Sequence, residues 1–163
     1  MQRINALIFL LIMASFAFSM QDDSPQTRLN QKIKDAKASV THVSPADLLK
    51  KIETDTSFVL IDVREQDEWD AGHISGAIHI PRGKIEFGIS AVIKDIDHDV
   101  VLYCRSGGRS ALAAQSLLDL GYTGVKDLDG GIKAWAAAGY SFYNSQGEIT
   151  FVKQGAVDPR QAK

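Results

Sequence analysis

Short runs of consecutive apolar residues alternate along the chain with segments of helical periodicity. The runs Phe58–Ile61 and Val100–Tyr103 are apolar at every position, which is typical of strands buried on both faces of a sheet. Shorter strands are predicted at 41–43, 77–80 and 125–128, and helices from Ser44 onward and at 65–71, 85–93, 109–120 and 132–138. This alternation predicts an α/β sandwich with a mainly parallel central sheet and helices on both faces.

The end of the chain predicts a different element. Apolar residues at 142–143 and 149–152 flank a polar, glycine-containing stretch at 144–147, a pattern that predicts a β-hairpin. The whole chain then divides into a signal peptide at 1–19, a polar spacer with a short helix at 20–39, a globular domain at 40–143 and a C-terminal tail at 144–163. No chemistry is assigned to the spacer.

The first residues have the three-part pattern of a secretory signal peptide. A short start with Arg3 precedes an apolar run from Ile4 to Phe18, and small residues at Ala17 and Ser19 lead into a polar stretch. The alternative is an uncleaved membrane anchor, but the run is shorter than the roughly 20 apolar residues that a spanning helix needs. We therefore expect cleavage after Ser19 and an exported protein, periplasmic if the source is a Gram-negative bacterium.

Composition and charge exclude several classes of function. The chain has 163 residues, 45% of them hydrophobic, which suits one modest globular domain. The net charge is −2 and the basic residues are dispersed, so nothing points to nucleic acid as a partner. A single cysteine excludes an intramolecular disulfide framework and a multi-cysteine metal site, and the histidines lack the spacing of metal ligands.

The segment at 103–110 carries the candidate chemistry and contains the only cysteine, Cys104. It links a buried strand to an amphipathic helix, which in an open α/β sheet is where ligands bind. Two adjacent glycines allow a tight turn that aims several N–H groups at one point, and the positive end of the helix dipole lies there too. Two arginines add positive charge, so the segment favours the thiolate and attracts an anionic substrate. The predicted substrate-binding residues are Arg105, Ser106, Gly107, Gly108 and Arg109.

A lone cysteine after an apolar strand is often an inert residue of the core. A core position, however, gains nothing from a cationic loop rich in exposed amides. The sequence therefore predicts Cys104 as a nucleophile.

Four motifs, in the same order along the chain, resemble those of the rhodanese family. They are Leu60–Glu65 at a strand end, Trp69 with Gly72–Pro81, the loop Tyr103–Ser110, and Leu128–Trp135. The resemblance extends from near Val40 to Tyr140 and therefore covers nearly the whole predicted domain. It implies a rhodanese-like sandwich.

The resemblance also implies a thiosulfate sulfurtransferase that works through a sulfur relay. The Cys104 thiolate would take the outer sulfur of thiosulfate or a similar anionic donor as a persulfide, and cyanide in vitro or a thiol would then accept it. The loop amides and Arg105 would hold the donor, and neither a metal nor an organic cofactor is implied. We expect a monomer whose partners are small molecules, with no membrane contact after signal cleavage.

Two other functions are weighed against sulfur transfer. The related dual-specificity phosphatases and arsenate reductases carry five residues between cysteine and arginine, whereas four residues separate Cys104 from Arg109. The tighter loop favours sulfur transfer, because a tetrahedral oxyanion needs the wider loop. A non-enzymatic role as a docking module or sulfur carrier stays open, although many rhodanese-like domains of that kind lack the cysteine.

Three further features are expected to have supporting or structural roles. Asp62 and Arg64 end a buried strand at the sheet edge where the loop is predicted, and they either orient the loop or pair with each other. His73 is expected to be architectural. The pair Gly130-Gly131 is expected to allow a close turn beside the loop.

Overall fold

A computed structural model describes residues 23–55 and 57–150 of the chain, so the predicted signal peptide lies outside the described residues. The chain divides into two units between residues 32 and 33, a position within the helix Pro25–Ser39. The helices are α1 Pro25–Ser39, α2 Pro45–Thr54, α3 Gln66–Ala71, α4 Ile85–Val92, α5 Gly108–Asp119 and α6 Gly131–Ala137, with a 3₁₀ turn at Arg82–Lys84. The strands are β1 Thr41–Val43, β2 Val59–Asp62, β3 Ile78–His79, β4 Val100–Tyr103, β5 Val125–Leu128, β6 Phe142–Asn144 and β7 Gly147–Ile149.

Strands β1 to β5 form one sheet in the order β1-β5-β4-β2-β3, and every pairing in it is parallel. Strand β4 lies at the centre, with all four of its residues buried, and pairs with β2 so that Leu60 faces Val101 and Asp62 faces Tyr103. The carboxyl ends of β2, β4 and β5 therefore meet at one edge of the sheet. The loop with Cys104 leaves the sheet at this edge.

Two separate hydrophobic cores confirm that helices cover both faces of the sheet. On β4, Val100 and Leu102 point into one core with residues of α4 and α5, while Val101 and Tyr103 point into the other with residues of α2 and α6. This division follows from the strand period of two, because successive side chains point to opposite faces. The predicted α/β class is confirmed.

The start of α2 shows how closely the local sequence determines an element. Ser44 lies just before the helix, its hydroxyl accepts a hydrogen bond from the Asp47 N–H at 3.1 Å, and Pro45 occupies the first helical position. The serine hydroxyl accepts a hydrogen bond from an N–H that has no acceptor within the helix, and proline has no N–H that would need an acceptor. The helix begins where the sequence predicts it.

Four predicted strands differ from the observed ones: β2 lies one residue later and β6 ends one residue later, and β3 and β7 differ as well. Strand β3 contains only Ile78 and His79, since it pairs along a sheet edge with just the last two residues of β2. The second hairpin strand begins at Gly147, two residues earlier than predicted, because the Asn144 side chain accepts a hydrogen bond from the Gln146 N–H and closes a short turn. Its predicted end at Val152 lies outside the described residues.

Within residues 23–55 and 57–150, no helix has the length and apolar character needed to cross a membrane.

Candidate active site

The sulfur of Cys104 lies at the start of the loop that joins β4 to α5. The residue is only 1% exposed, and its neighbours on one side belong to the core formed with α4 and α5. Polar groups approach the sulfur from the other side. The Gly107 N–H donates a hydrogen bond to Sγ at 3.2 Å, and the Ser110 hydroxyl donates another at 3.4 Å.

The backbone of the loop is shaped for this contact. Gly107 has a φ of +89°, in the left-handed region that side chains rarely adopt, and it directly precedes the first residue of α5. In the described part of the chain, the N–H groups of Arg105, Ser106, Gly108 and Arg109 make no intramolecular hydrogen bond. These donors remain available to an anion beside the sulfur, as expected at a helix N-terminus.

The carbonyl groups of the loop face helix α6. The Ile132 N–H donates to the Cys104 carbonyl at 2.9 Å, and the Lys133 N–H donates to the Arg105 carbonyl at 3.1 Å. This close approach requires Gly131, because a Cβ there would lie 2.5 Å from the Cys104 carbonyl oxygen. Its φ of +60° also favours glycine. The predicted role of the glycine pair as a close turn beside the loop is confirmed.

Arg109 differs from the expectation that it offers a free positive charge. Its guanidinium group makes two hydrogen bonds to the Glu68 carboxylate, at 2.6 and 2.8 Å. The carboxylate raises the pKa of Arg109, and the nearby Cys104 sulfur contributes to the same shift, while Arg109 lowers the pKa of Glu68. Arg109 therefore stands close to the sulfur with its charge compensated. No sequence pattern pointed to Glu68, which lies 41 positions before Arg109.

A cleft of about 330 Å³ opens beside the loop. Its polar wall consists of Arg64, Glu68, Arg105 and Lys133, and its apolar wall of Ala71, Gly72, Ile132, Ala136 and Phe142. Arg64 and Glu68 are paired with opposite charges. Arg105 and Lys133 are exposed and form no ion pair with any described residue. The cleft consequently carries a net positive charge, which an anionic ligand would balance.

Asp62 and Arg64 pair with each other, one of the two arrangements that the sequence allowed. Two nitrogens of the Arg64 guanidinium group donate to the Asp62 carboxylate, at 2.6 and 2.9 Å, and both residues are buried. Burial opposes the charge on Arg64, but the Asp62 carboxylate outweighs it and raises the pKa of Arg64. Arg64 also donates to the Gly72 carbonyl at 2.7 Å. The pair thus fixes the end of α3, the helix that carries Glu68.

The structure places three further residues beside the loop that the sequence did not single out as site residues. Ser110 and Asp127 are fully buried, and Lys37 extends from the helix that was predicted to be a spacer. A signal for Asp127 did exist. It occupies an inward position of β5, two residues after the buried Val125, where the strand pattern predicts an apolar side chain.

Comparison with known proteins agrees with this geometry. The family model of the rhodanese-like domain matches residues 44–138. A sulfurtransferase of Allochromatium vinosum is 35% identical over 108 residues, which are 66% of this chain and 99% of that protein. The probable adenylyltransferase/sulfurtransferase MoeZ of Mycobacterium tuberculosis is 38% identical over 94 residues, but the match covers 58% of this chain and only 24% of MoeZ.

Among solved structures, a protein of unknown function from Rhodopseudomonas palustris, described as a possible tyrosine phosphatase, is 29% identical. It superimposes with a TM-score of 0.66 over 70% of this chain and 92% of the other.

Proposed function

Since the chain belongs to the rhodanese-like domain family, we propose that it is a sulfurtransferase whose nucleophile is Cys104. The observation that carries the proposal is the set of donors around the sulfur. The Gly107 N–H and the Ser110 hydroxyl are directed at Sγ, and further loop amides are free beside it. Such donors stabilise a negative sulfur more than a neutral one, as an oxyanion hole does for oxygen.

The reaction proceeds in two displacements. The Cys104 thiolate attacks the outer sulfur of thiosulfate, so that a bond from Sγ to that sulfur forms and the sulfur–sulfur bond of the donor breaks. The bonding pair leaves with sulfite, and the negative persulfide remains on Cys104. Cyanide, or a thiolate in the cell, then attacks the outer sulfur of the persulfide and restores the Cys104 thiolate.

The charge of the cleft supports an anionic donor. Arg105 and Lys133 are its two cations without a counter-ion among the described residues, and the neighbouring loop amides supply hydrogen bonds. The Cys104 thiolate and thiosulfate bring three negative charges together, of which one stays on the persulfide and two leave with sulfite. The two cations would bind the donor and also stabilise the leaving group.

The proposal is tested by measuring thiocyanate formation from thiosulfate and cyanide with the wild type and Cys104→Ser. We expect the variant to lose essentially all activity, since a hydroxyl at this position is neither anionic nor a good sulfur acceptor. Mass spectrometry after thiosulfate alone should show one added sulfur atom on the wild type and none on the variant. Equal activity of the two proteins would refute the role of Cys104.

Phosphatase activity is the alternative that the Rhodopseudomonas palustris protein suggests. The loop of this chain offers only four residues between Cys104 and Arg109, and Glu68 holds the guanidinium group that a phosphate would need. We expect no hydrolysis of p-nitrophenyl phosphate under conditions where sulfur transfer is measurable. Hydrolysis that exceeds sulfur transfer and depends on Cys104 would favour the phosphatase.

We also propose that the domain acts outside the cytoplasm, on the basis of the signal-peptide pattern at 1–19. Cell fractionation and N-terminal sequencing of the protein from its native host test this proposal. A mature chain that begins at Met20 in the exported fraction is expected, and an intact chain in the cytoplasm would contradict it.

A further inference from the structure

A buried carboxylate lies beside the catalytic loop, since a Cβ on Gly107 would be 3.5 Å from the Oδ2 atom of Asp127. Asp127 is 0% exposed, and neither of its carboxyl oxygens has a hydrogen-bond partner among the described residues. Buried carboxylates without partners are costly and uncommon in folded proteins. Its position beside the reactive sulfur calls for a functional explanation.

Charged and polar groups from four parts of the domain face Asp127. His42 of β1 places its Nδ1 atom 3.5 Å from Oδ2, and Lys37 of α1 and Asp129 also act on the carboxyl. Burial has the largest effect and raises the pKa of Asp127 to about 6, because Ser110, His42 and Lys37 lower it only in part and Asp129 raises it. Both protonation states of the carboxyl are therefore accessible near neutral pH.

Ser110 contacts the sulfur and also acts on the carboxyl of Asp127. Its hydroxyl donates to the Cys104 Sγ at 3.4 Å and is also close enough to lower the pKa of Asp127. A hydroxyl has one proton and can donate it to one acceptor at a time. In the structure the hydroxyl donates to the sulfur, and neither carboxyl oxygen of Asp127 has a hydrogen-bond partner among the described residues.

We propose that Asp127 is a positioning residue whose protonation decides whether the Ser110 hydroxyl donates to the sulfur of Cys104 or to the carboxylate. When Asp127 is protonated, it does not compete for the Ser110 hydroxyl, which donates to the sulfur as it does in the structure. When Asp127 is ionised, its carboxylate accepts a hydrogen bond from the Ser110 hydroxyl. The sulfur then loses a donor and gains a negative neighbour.

The hydrogen bond from Ser110 therefore stabilises a negative sulfur when Asp127 is protonated and is lost to the sulfur when Asp127 is ionised. A hydrogen bond to a charged group changes an equilibrium by about tenfold or more. The inference relies on the proposed function only for the identity of the reactive sulfur. It can therefore be tested on Cys104 without a sulfur donor.

The test follows the rate of Cys104 alkylation by iodoacetamide over a pH range on both sides of 6, with the full-length protein and with Asp127→Asn. The asparagine amide keeps a donor toward Ser110 at every pH. We expect two inflections in the wild type, one of them near pH 6, and a single inflection in the variant. Above that pH the variant should be alkylated up to about tenfold faster than the wild type.

Three further variants distinguish a change in the Ser110 hydrogen bond from an effect of the Asp127 charge alone. Asp129→Asn removes an exposed carboxylate two positions away and should keep both inflections. In a Ser110→Ala background, Asp127→Asn should change the profile severalfold less than in the wild type. Asp127→Ala serves as a second neutral variant, and thermal unfolding checks that each protein is folded.

Superimposable profiles for the wild type and Asp127→Asn would overturn the inference. An undiminished effect in the Ser110→Ala background would do the same, because charge alone would then account for it. An absence of thiosulfate:cyanide activity would count against the proposed function. The alkylation profiles would still test the role of Asp127, because they need no sulfur donor.

Discussion

Substitution of Gly131 by alanine tests whether helix α6 sets the geometry of the reactive loop. The added Cβ would lie 2.5 Å from the Cys104 carbonyl oxygen and 2.9 Å from two further backbone atoms of the loop. Backbone atoms cannot turn away as a side chain can, so the loop itself must move. The hydrogen bonds from the Ile132 and Lys133 N–H groups to the loop carbonyls would lengthen or break.

The expected magnitude has two parts. An alanine in the left-handed region costs about 1–2 kcal/mol, and the φ of Gly131 is +60°. Crowding against a fixed neighbour adds about 1–3 kcal/mol. The total loss of unfolding free energy is therefore about 2–5 kcal/mol. For the reaction, a shift of the loop amides by about 1 Å lowers kcat/KM by about a hundredfold.

Gly139→Ala provides a matched control after the other end of α6. Gly139 also has a left-handed φ, +83°, but a Cβ there would meet no other atom within 4 Å. Urea unfolding should show a loss of about 1–2 kcal/mol for this control, and thiocyanate formation should stay near the wild-type rate. If the two variants lose equal stability and equal activity, the close approach of Gly131 does not matter and the reasoning fails.

Three further predictions concern stability, measured as the free energy of unfolding in urea. Burial raises the pKa of Asp127 from 3.8 to about 6, so the folded protein binds this proton more tightly than the unfolded chain. The stability that depends on the bound proton is complete below pH 3.8 and is lost as the pH rises through 6. Asp127→Asn should therefore stabilise the protein by up to about 3 kcal/mol well above pH 6 and change its stability little below 3.8. Glu68→Gln should lower the unfolding free energy by less than about 1 kcal/mol near neutral pH, because the pair with Arg109 is partly exposed. Since Arg109 lowers the pKa of Glu68, this small loss should disappear as the pH falls through that pKa. A loss above about 3 kcal/mol would contradict the prediction. Ser44→Ala should cost about 1 kcal/mol by removing the acceptor for the Asp47 N–H, and an unchanged stability would show that water replaces the cap.

The sequence predicts the elements and the loop because both depend on short-range patterns. The apolar run Val100–Tyr103 appears as the central strand, and the segment at 103–110 forms a strand-to-helix turn with the Gly107 N–H directed at the sulfur. The Ser44 cap and the glycine pair before α6 are equally local. Each of these features rests on residues within a few positions of one another.

The charge balance of the site depends on contacts that no short-range pattern contains. Arg109 meets Glu68 only because β4 pairs with β2, which brings α3 beside the start of α5. Asp127 approaches Ser110 because β5 lies on the other side of β4. The two partners are separated in sequence, so their pairing follows from the strand order of the sheet. For this reason both Arg105 and Arg109 were expected to be unpaired, whereas in the structure Glu68 pairs with Arg109.

The contact between the loop and α6 ties reactivity to a distant part of the domain. Helix α6 holds the Cys104 and Arg105 carbonyls by its first amides, and it is itself held by Trp135, which is packed in a core with Phe142 of the hairpin. Loosening that core would release the peptide dipoles that converge on the sulfur, even though Trp135 itself does not line the cleft. A thermal step in which the hairpin detaches should therefore end sulfur chemistry before the sheet melts.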